Sequence, residues 1–149
     1  MNTQNLMEYV YSDGGRSNYF KGNARDCVCR AVAIASKRDY LEVYNSMKKT
    51  FGSPRDGVYT QKKSFKDWMK ANGFVWVACS GIGVKESHHF IKGELPKGRI
   101  VCSVAKHYVA VVDEIVYDTW DSTKVRKGKN KGKSDMVEVK KYWIKESVA

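Results

Sequence analysis

Residues 107–121 read His-Tyr-Val-Ala-Val-Val-Asp-Glu-Ile-Val-Tyr-Asp-Thr-Trp-Asp. Two apolar, β-branched runs flank Asp113-Glu114, and that pattern predicts an antiparallel hairpin with its tip at the two acids. A loop of two or four residues centred there pairs Val112 with Ile115 and Val111 with Val116. Val109 then faces Asp118, and His107 faces Trp120. Side chains alternate between faces, so His107, Val109, Asp118 and Trp120 share one side of the hairpin. His107 and Asp118 become diagonal neighbours, within reach for a carboxylate to hold one imidazole tautomer. Asp113 sits at the tip and Asp121 points the other way. A three-residue loop would reverse the parity and undo the pairing.

Further strands are expected on either side. Arg99 to Val104 follows a Leu95-Pro96-Lys97-Gly98 turn, Phe74 to Ala78 is a short apolar run, and Val137 to Ile144 reads as a final strand. The first half of the chain has helical signals instead. Cys27 to Ser36, CVCRAVAIAS, is small or apolar on nearly every face, as in a helix buried at the centre of a domain. Asp39 followed by Glu42 is a capping-box pattern ahead of the stripe Tyr40, Val43, Tyr44 and Met47. That helix should stop near Gly52-Ser53-Pro54. A third helix is expected from Gln61 to Ala71, with Phe65, Trp68 and Met69 on one face and Asn72-Gly73 ending it. Helices first and an antiparallel sheet second is the α+β pattern. Residues 1–149 read as one domain, with 1–20 an irregular lead-in turning at Asp13-Gly14-Gly15 and 122–135 a basic flexible loop.

Composition narrows the class further. The 149 residues are 42% hydrophobic and 29% charged, an ordinary globular balance. The N-terminus has no basic n-region followed by an apolar run, and no stretch approaches the ~18 apolar residues of a membrane span. A cytosolic protein is the expectation, with no membrane contact and with its four cysteines reduced. The formal charge of +11 invites a nucleic-acid reading. Its densest cluster, Lys124, Arg126, Lys127, Lys129, Lys131 and Lys133, is glycine-laced and has no aromatic residue for base stacking. Weak, salt-dependent contact with polyanions is what it suits.

Cys27 falls directly after Asp26, the expected N-cap, in the first turn of the buried helix. Unpaired N–H groups and the helix dipole favour an anion there, so the position suits a nucleophilic thiolate. A small buried hydrophobe is the alternative use of the same residue. Asp26 opposes a thiolate unless capping engages its charge. A zinc site built from Cys27, Cys29, His88 and His89 fits poorly. One residue between paired ligands is short, and positions 27 and 29 diverge by about 200° around a helix. No metal or other cofactor is expected. Cys79 and Cys102 lie in strand-like runs as core residues, and His88-His89, in the polar segment Lys85 to Lys92, is expected to be exposed.

Asp118-Thr119-Trp120 follows the order of the Asn-Ser-Trp element of papain-like proteases. The wider order also matches: a cysteine opening a buried helix, a histidine at a strand start, then a polar residue one strand later. The chain thus resembles the papain-like cysteine peptidase superfamily in its reduced, peptidase C39-like form. DCVCRAVAIA (26–35), DYLEVY (39–44) and KHYVAVVDEIVYDTW (106–120) resemble small bacteriophage proteins of this type, over roughly residues 20–121.

The resemblance implies a helical half carrying the nucleophile, packed on a C-terminal antiparallel sheet. It implies Cys27 as nucleophile, His107 as base, Asp118 as orienting carboxylate and Trp120 as a shield that is also part of the core. The reaction would be acyl transfer to water from a peptide or protein substrate. The family's oxyanion-hole glutamine lies six positions before the cysteine, which here is Lys21; Asn23 is the nearest amide. Two other readings use the same residues: a catalytically inactive binding or inhibitor module on this scaffold, and a basic nucleic-acid-binding protein.

Overall fold

A computed structural model describes residues 5–79, 88–124 and 136–146. In chain order its elements are β1 (Glu8–Tyr11), α1 (Cys27–Ser36), α2 (Tyr40–Phe51), α3 (Lys63–Ala71), β2 (Phe74–Ala78), β3 (His88–His89), β4 (Arg99–Val104), β5 (His107–Val112), β6 (Ile115–Asp118), β7 (Glu138–Val139) and β8 (Lys141–Lys145). The fold is α+β. Among the described residues, three helices accompany a six-stranded, mostly antiparallel sheet in the order β1-β6-β5-β4-β8-β2.

The β5–β6 hairpin has the expected register, with Val112 opposite Ile115, Val111 opposite Val116 and Ala110 opposite Tyr117. Its two-residue turn holds Asp113 at φ 49° and Glu114 at φ 66°, the left-handed conformation that a tight hairpin turn of this length demands. Neither residue is a glycine, but both side chains tie the turn down. Asp113 Oδ1 accepts from the Gly98 N–H at 2.9 Å, and Glu114 Oε2 accepts from the Gly93 N–H at 2.7 Å. These contacts favour the even loop that puts His107 and Asp118 on one face.

Both faces of the sheet are covered, which is why HYVAVV reads as a continuous apolar run rather than an alternating one. Toward the helices, Val101, Tyr108, Ala110 and Trp143 join Val32, Met47, Phe65 and Met69 in one core. On the opposite face Ile100, Cys102, Val109, Val111 and Val116 pack with Phe90, Leu95 and Val139. Burying a side chain of this kind contributes about 1.5–3 kcal/mol, so each layer supports the hairpin from its own side. Asp39 caps α2 as expected, accepting from the Glu42 N–H.

Two expectations need correction. The segment 1–20 is not wholly irregular: β1 lies within it and pairs in parallel with β6, Tyr9 opposite Val116 and Tyr11 opposite Asp118. Glu-Tyr-Val-Tyr has strand propensity, but its partner lies more than a hundred residues away and no turn announces the pairing. The run 137–144 divides instead of forming one strand. Val139 ends β7 opposite His88, while β8 starts at Lys141 and inserts between β4 and β2.

Candidate active site

Cys27 is the first residue of α1, and the residue before it works differently from expectation. Asp26 makes no side-chain cap. Its carboxylate is fully buried and bonded to Arg30, to the Tyr40 hydroxyl, and to Arg16 Nη1 at 3.4 Å. Two guanidiniums form stronger, charge-assisted bonds than a neutral N–H would, and so draw the carboxylate away from the helix end. The Asp13-Gly14-Gly15 turn delivers Arg16 to this cluster. Gly14 has φ 71°, and a Cβ there would lie 2.9 Å from the Arg30 carbonyl oxygen, so the turn can sit this close only without a side chain. The negative charge next to the thiol is thereby compensated. The first-turn N–H groups of α1, Cys27's among them, are left without a side-chain cap.

His107 opens β5 and Asp118 closes β6. The His107 Nε2–H donates to Asp118 Oδ2 at 2.5 Å. Asp118 is 4% exposed, and its other oxygen accepts from the Thr119 N–H at 2.7 Å. β1 and the residue that follows it hold the same residue from behind: the Tyr9 hydroxyl and the Ser12 N–H both donate to the Asp118 carbonyl at 2.9 Å. With Nε2 committed to the carboxylate, Nδ1 is the nitrogen that remains to serve the Cys27 thiol, which lines the same cleft and is electrostatically coupled to this ring. Asp121 instead folds onto its own turn, accepting from the Thr123 N–H and hydroxyl.

Burial pushes the Cys27 thiol up, but the His107 hydrogen bond and charge, a bond from the Tyr108 N–H and the charge of Arg30 together carry it below its ordinary value. Burial acts downward on His107; the Asp118 bond, then the Cys27 bond and both negative charges, outweigh it and raise the imidazole to about 9. The two shifts run in opposite directions, and both favour the charged pair, a thiolate beside an imidazolium. Among the four thiols the direction is particular to Cys27. Burial raises Cys29 to about 12, Cys79 to about 11, and Cys102 well above the ordinary value.

The Trp120 indole lies against the His107 ring, with 5.1 Å between centroids. It is 42% exposed, however, so the expected core role is corrected: the residue follows the last paired position of β6, where the chain leaves the sheet.

Cys27, His107 and Trp120 line a cleft of about 980 Å³ together with Tyr108, Trp76 and Gln61. Asn23 does not line it; the asparagine is exposed and borders a neighbouring hollow with Arg16, Phe20 and Thr119. Gln61 is the carboxamide among the described lining residues. Sequence reasoning gives it no role because Gln61 reads there as the start of the third helix; that helix begins at Lys63, and Gln61 lies in the turn before it, on the cleft wall.

His89 is also corrected. It is 3% exposed, with its N–H and its Nδ1 both directed at Glu94 Oε1, because the Ile91–Glu94 turn folds the glutamate back over β3. His88 is half-buried. Among the described residues no three His, Cys, Asp or Glu side chains converge as metal ligands would, and no helix is long and apolar enough to cross a membrane. Of the basic cluster, Lys124 is exposed, while Arg126, Lys127, Lys129, Lys131 and Lys133 lie outside the described residues. No protein-family model matches the chain, and no curated protein and no solved structure does either.

Proposed function

We propose that the chain is a papain-like cysteine hydrolase that cleaves an amide of a peptide or protein through an acyl-enzyme. The observation that carries this reading is the Cys27–His107–Asp118 relay opening into a cleft, with the thiol lowered and the imidazole raised. A buried helix beginning at the nucleophile, a neighbouring hairpin carrying base and carboxylate, and a tryptophan over the imidazole support the papain-like assignment.

In the first half-reaction the Cys27 thiolate attacks the carbonyl carbon, forming a C–S bond and an oxyanion. The Cys27 N–H, which lacks an intrahelical partner at this position, is one donor for that oxyanion, and the Gln61 amide is the second candidate from the cleft wall. The intermediate collapses as the C–N bond breaks, and the His107 Nδ1 proton passes to the departing amine. Water then attacks the thioester and gives one proton to Nδ1. A C–O bond forms, the C–S bond breaks, and the thiolate–imidazolium pair is restored with a carboxylic acid as product. Asp118 keeps the ring's tautomer and orientation throughout.

The test is competitive alkylation followed by mass spectrometry of all four cysteines. Iodoacetamide at neutral pH should modify Cys27 well ahead of Cys29, Cys79 and Cys102. An acyl electrophile should label Cys27 in the wild type and not label the Cys27→Ala protein. Equal, slow modification of all four thiols would defeat the reading.

A further inference from the structure

The same cleft carries charge that the acyl-transfer chemistry does not use. Among the described residues it is lined by five cationic side chains, Arg25, Arg30, Lys106, Lys140 and Lys141, against one carboxylate, Asp56. Arg30 is engaged by Asp26. Arg25, Lys106 and Lys141 have no carboxylate partner among the described residues. They come from three different elements: the approach to α1, the turn between β4 and β5, and the start of β8. We propose that the substrate received by this cleft is an acidic peptide, with carboxylates on the residues flanking the scissile carbonyl held by Arg25, Lys106 and Lys141. The inference rests on the hydrolase reading for its scissile bond and adds the class of peptide.

The sheet register sets the scale. Ser103 of β4 pairs with Tyr108 on one side and with Lys141 on the other. Two strand spacings, about 10 Å, separate Lys141 from Tyr108, which follows His107 and lines the cleft with Cys27. An extended peptide covers that distance in about three residues. A carboxylate within a few positions of the attacked carbonyl therefore meets this lysine.

Lys141 is partly buried and faces another cation, Lys66; burial and then that repulsion lower its pKa, so an anion bound there relieves both. Lys106 immediately precedes the base and holds φ 55°, where glycine or asparagine would be at ease. Its position at the rim adds charge beside His107 at the expense of backbone comfort. A peptide fits better than a nucleic acid because the thiolate at the centre requires an acyl carbonyl, which a sugar–phosphate backbone does not offer.

Binding to the full-length Cys27→Ala protein tests this separately from chemistry. The probes are two capped pentapeptides, one carrying glutamates and one carrying glutamines at the same positions, followed through the fluorescence of Trp76 and Trp120 in the cleft. The glutamate peptide should bind about tenfold tighter at low salt, and the difference should shrink at high salt. Lys106→Gln and Lys141→Gln should each reduce that preference several-fold, whereas Lys48→Gln, on exposed α2 surface outside the cleft, should not.

Equal binding of the two peptides overturns the proposal, and so does tighter binding of an oligothymidylate than of the glutamate peptide. Iodoacetamide labelling of the wild type separates the two readings. A reactive Cys27 without glutamate preference leaves the hydrolase standing and removes the acidic peptide. An inert Cys27 with glutamate preference does the reverse, leaving an acidic-peptide binding module.

Discussion

The Trp120 indole and the His107 imidazole lie 5.1 Å apart between centroids, tilted by 34°, with the tryptophan still 42% exposed. The contact covers one side of the His107–Asp118 bond without anchoring the core. Trp120→Ala should therefore cost about 1 kcal/mol of stability, the scale of an aromatic pair, and not the 3–5 kcal/mol of a buried tryptophan. It should slow Cys27 labelling, because water reaches the ion pair. Urea unfolding and alkylation rates measured side by side check this; a large loss of stability would show that Trp120 is a core residue after all.

The two carboxylates that follow the hairpin should behave oppositely. Asp118→Asn removes the anion bonded to His107 and should lower hydrolysis by about 10²-fold or more. Asp121→Asn alters only a turn that the residue makes with Thr123 and should leave hydrolysis nearly unchanged. Turnover of an acyl substrate by the two variants decides. A more damaging Asp121→Asn would mean that the carboxylate has been misassigned.

Proton linkage gives a third expectation. His107 titrates near 6.5 unfolded and near 9 folded, so its contribution to stability is complete below pH 6.5 and disappears as pH rises through 9. Cys27 runs the other way: its native value lies below the ordinary 9.0, so its contribution is present above 9.0 and lost as pH falls. The two oppose one another just below pH 9, where both contributions change. Cys27→Ala removes the opposing share but keeps the part of the histidine's shift that Asp118 supplies, so its stability should fall more steeply than the wild type's as pH rises above 6.5. Urea midpoints at several pH values test it. For hydrolysis, the alkaline limb should fall near pH 9 as the imidazolium loses its proton.

Asp26 stands apart as a residue needed for folding. Asp26→Ala would leave the Arg16 and Arg30 guanidiniums, at 7% and 12% side-chain exposure, without their carboxylate. Breaking a buried ion pair from one side costs about 3–5 kcal/mol. Denaturant unfolding should show a loss of that size, and a loss below about 1 kcal/mol would mean that solvent reaches the cluster.

The parts of this architecture that were legible from sequence are those fixed by local period and turn chemistry. The all-round apolarity of 27–36, the Asp39–Glu42 cap and the parity of the 107–121 hairpin each predicted its element and, in the last case, a side-chain contact. What escaped was long-range or competitive. β1 needed a parallel partner that no local signal names. Asp26 carries the usual mark of an N-cap, and only the arrival of Arg16 and Arg30 redirects it. Asn23 was chosen for its nearness in sequence to Cys27, but the backbone before α1 turns it into the adjoining hollow, whereas Gln61 reaches the cleft from another element.

The insertion of β8 between β4 and β2 bears on when the surroundings of the thiol are complete. A ribosome releases residue 27 long before residues 107 and 118, and residues 141–145 later still. Until residue 107 has been made, Cys27 has no partner imidazole beside it. The surroundings of the thiol are thus completed only by segments made long after it, and a chain cut short before residue 107 carries Cys27 without its histidine.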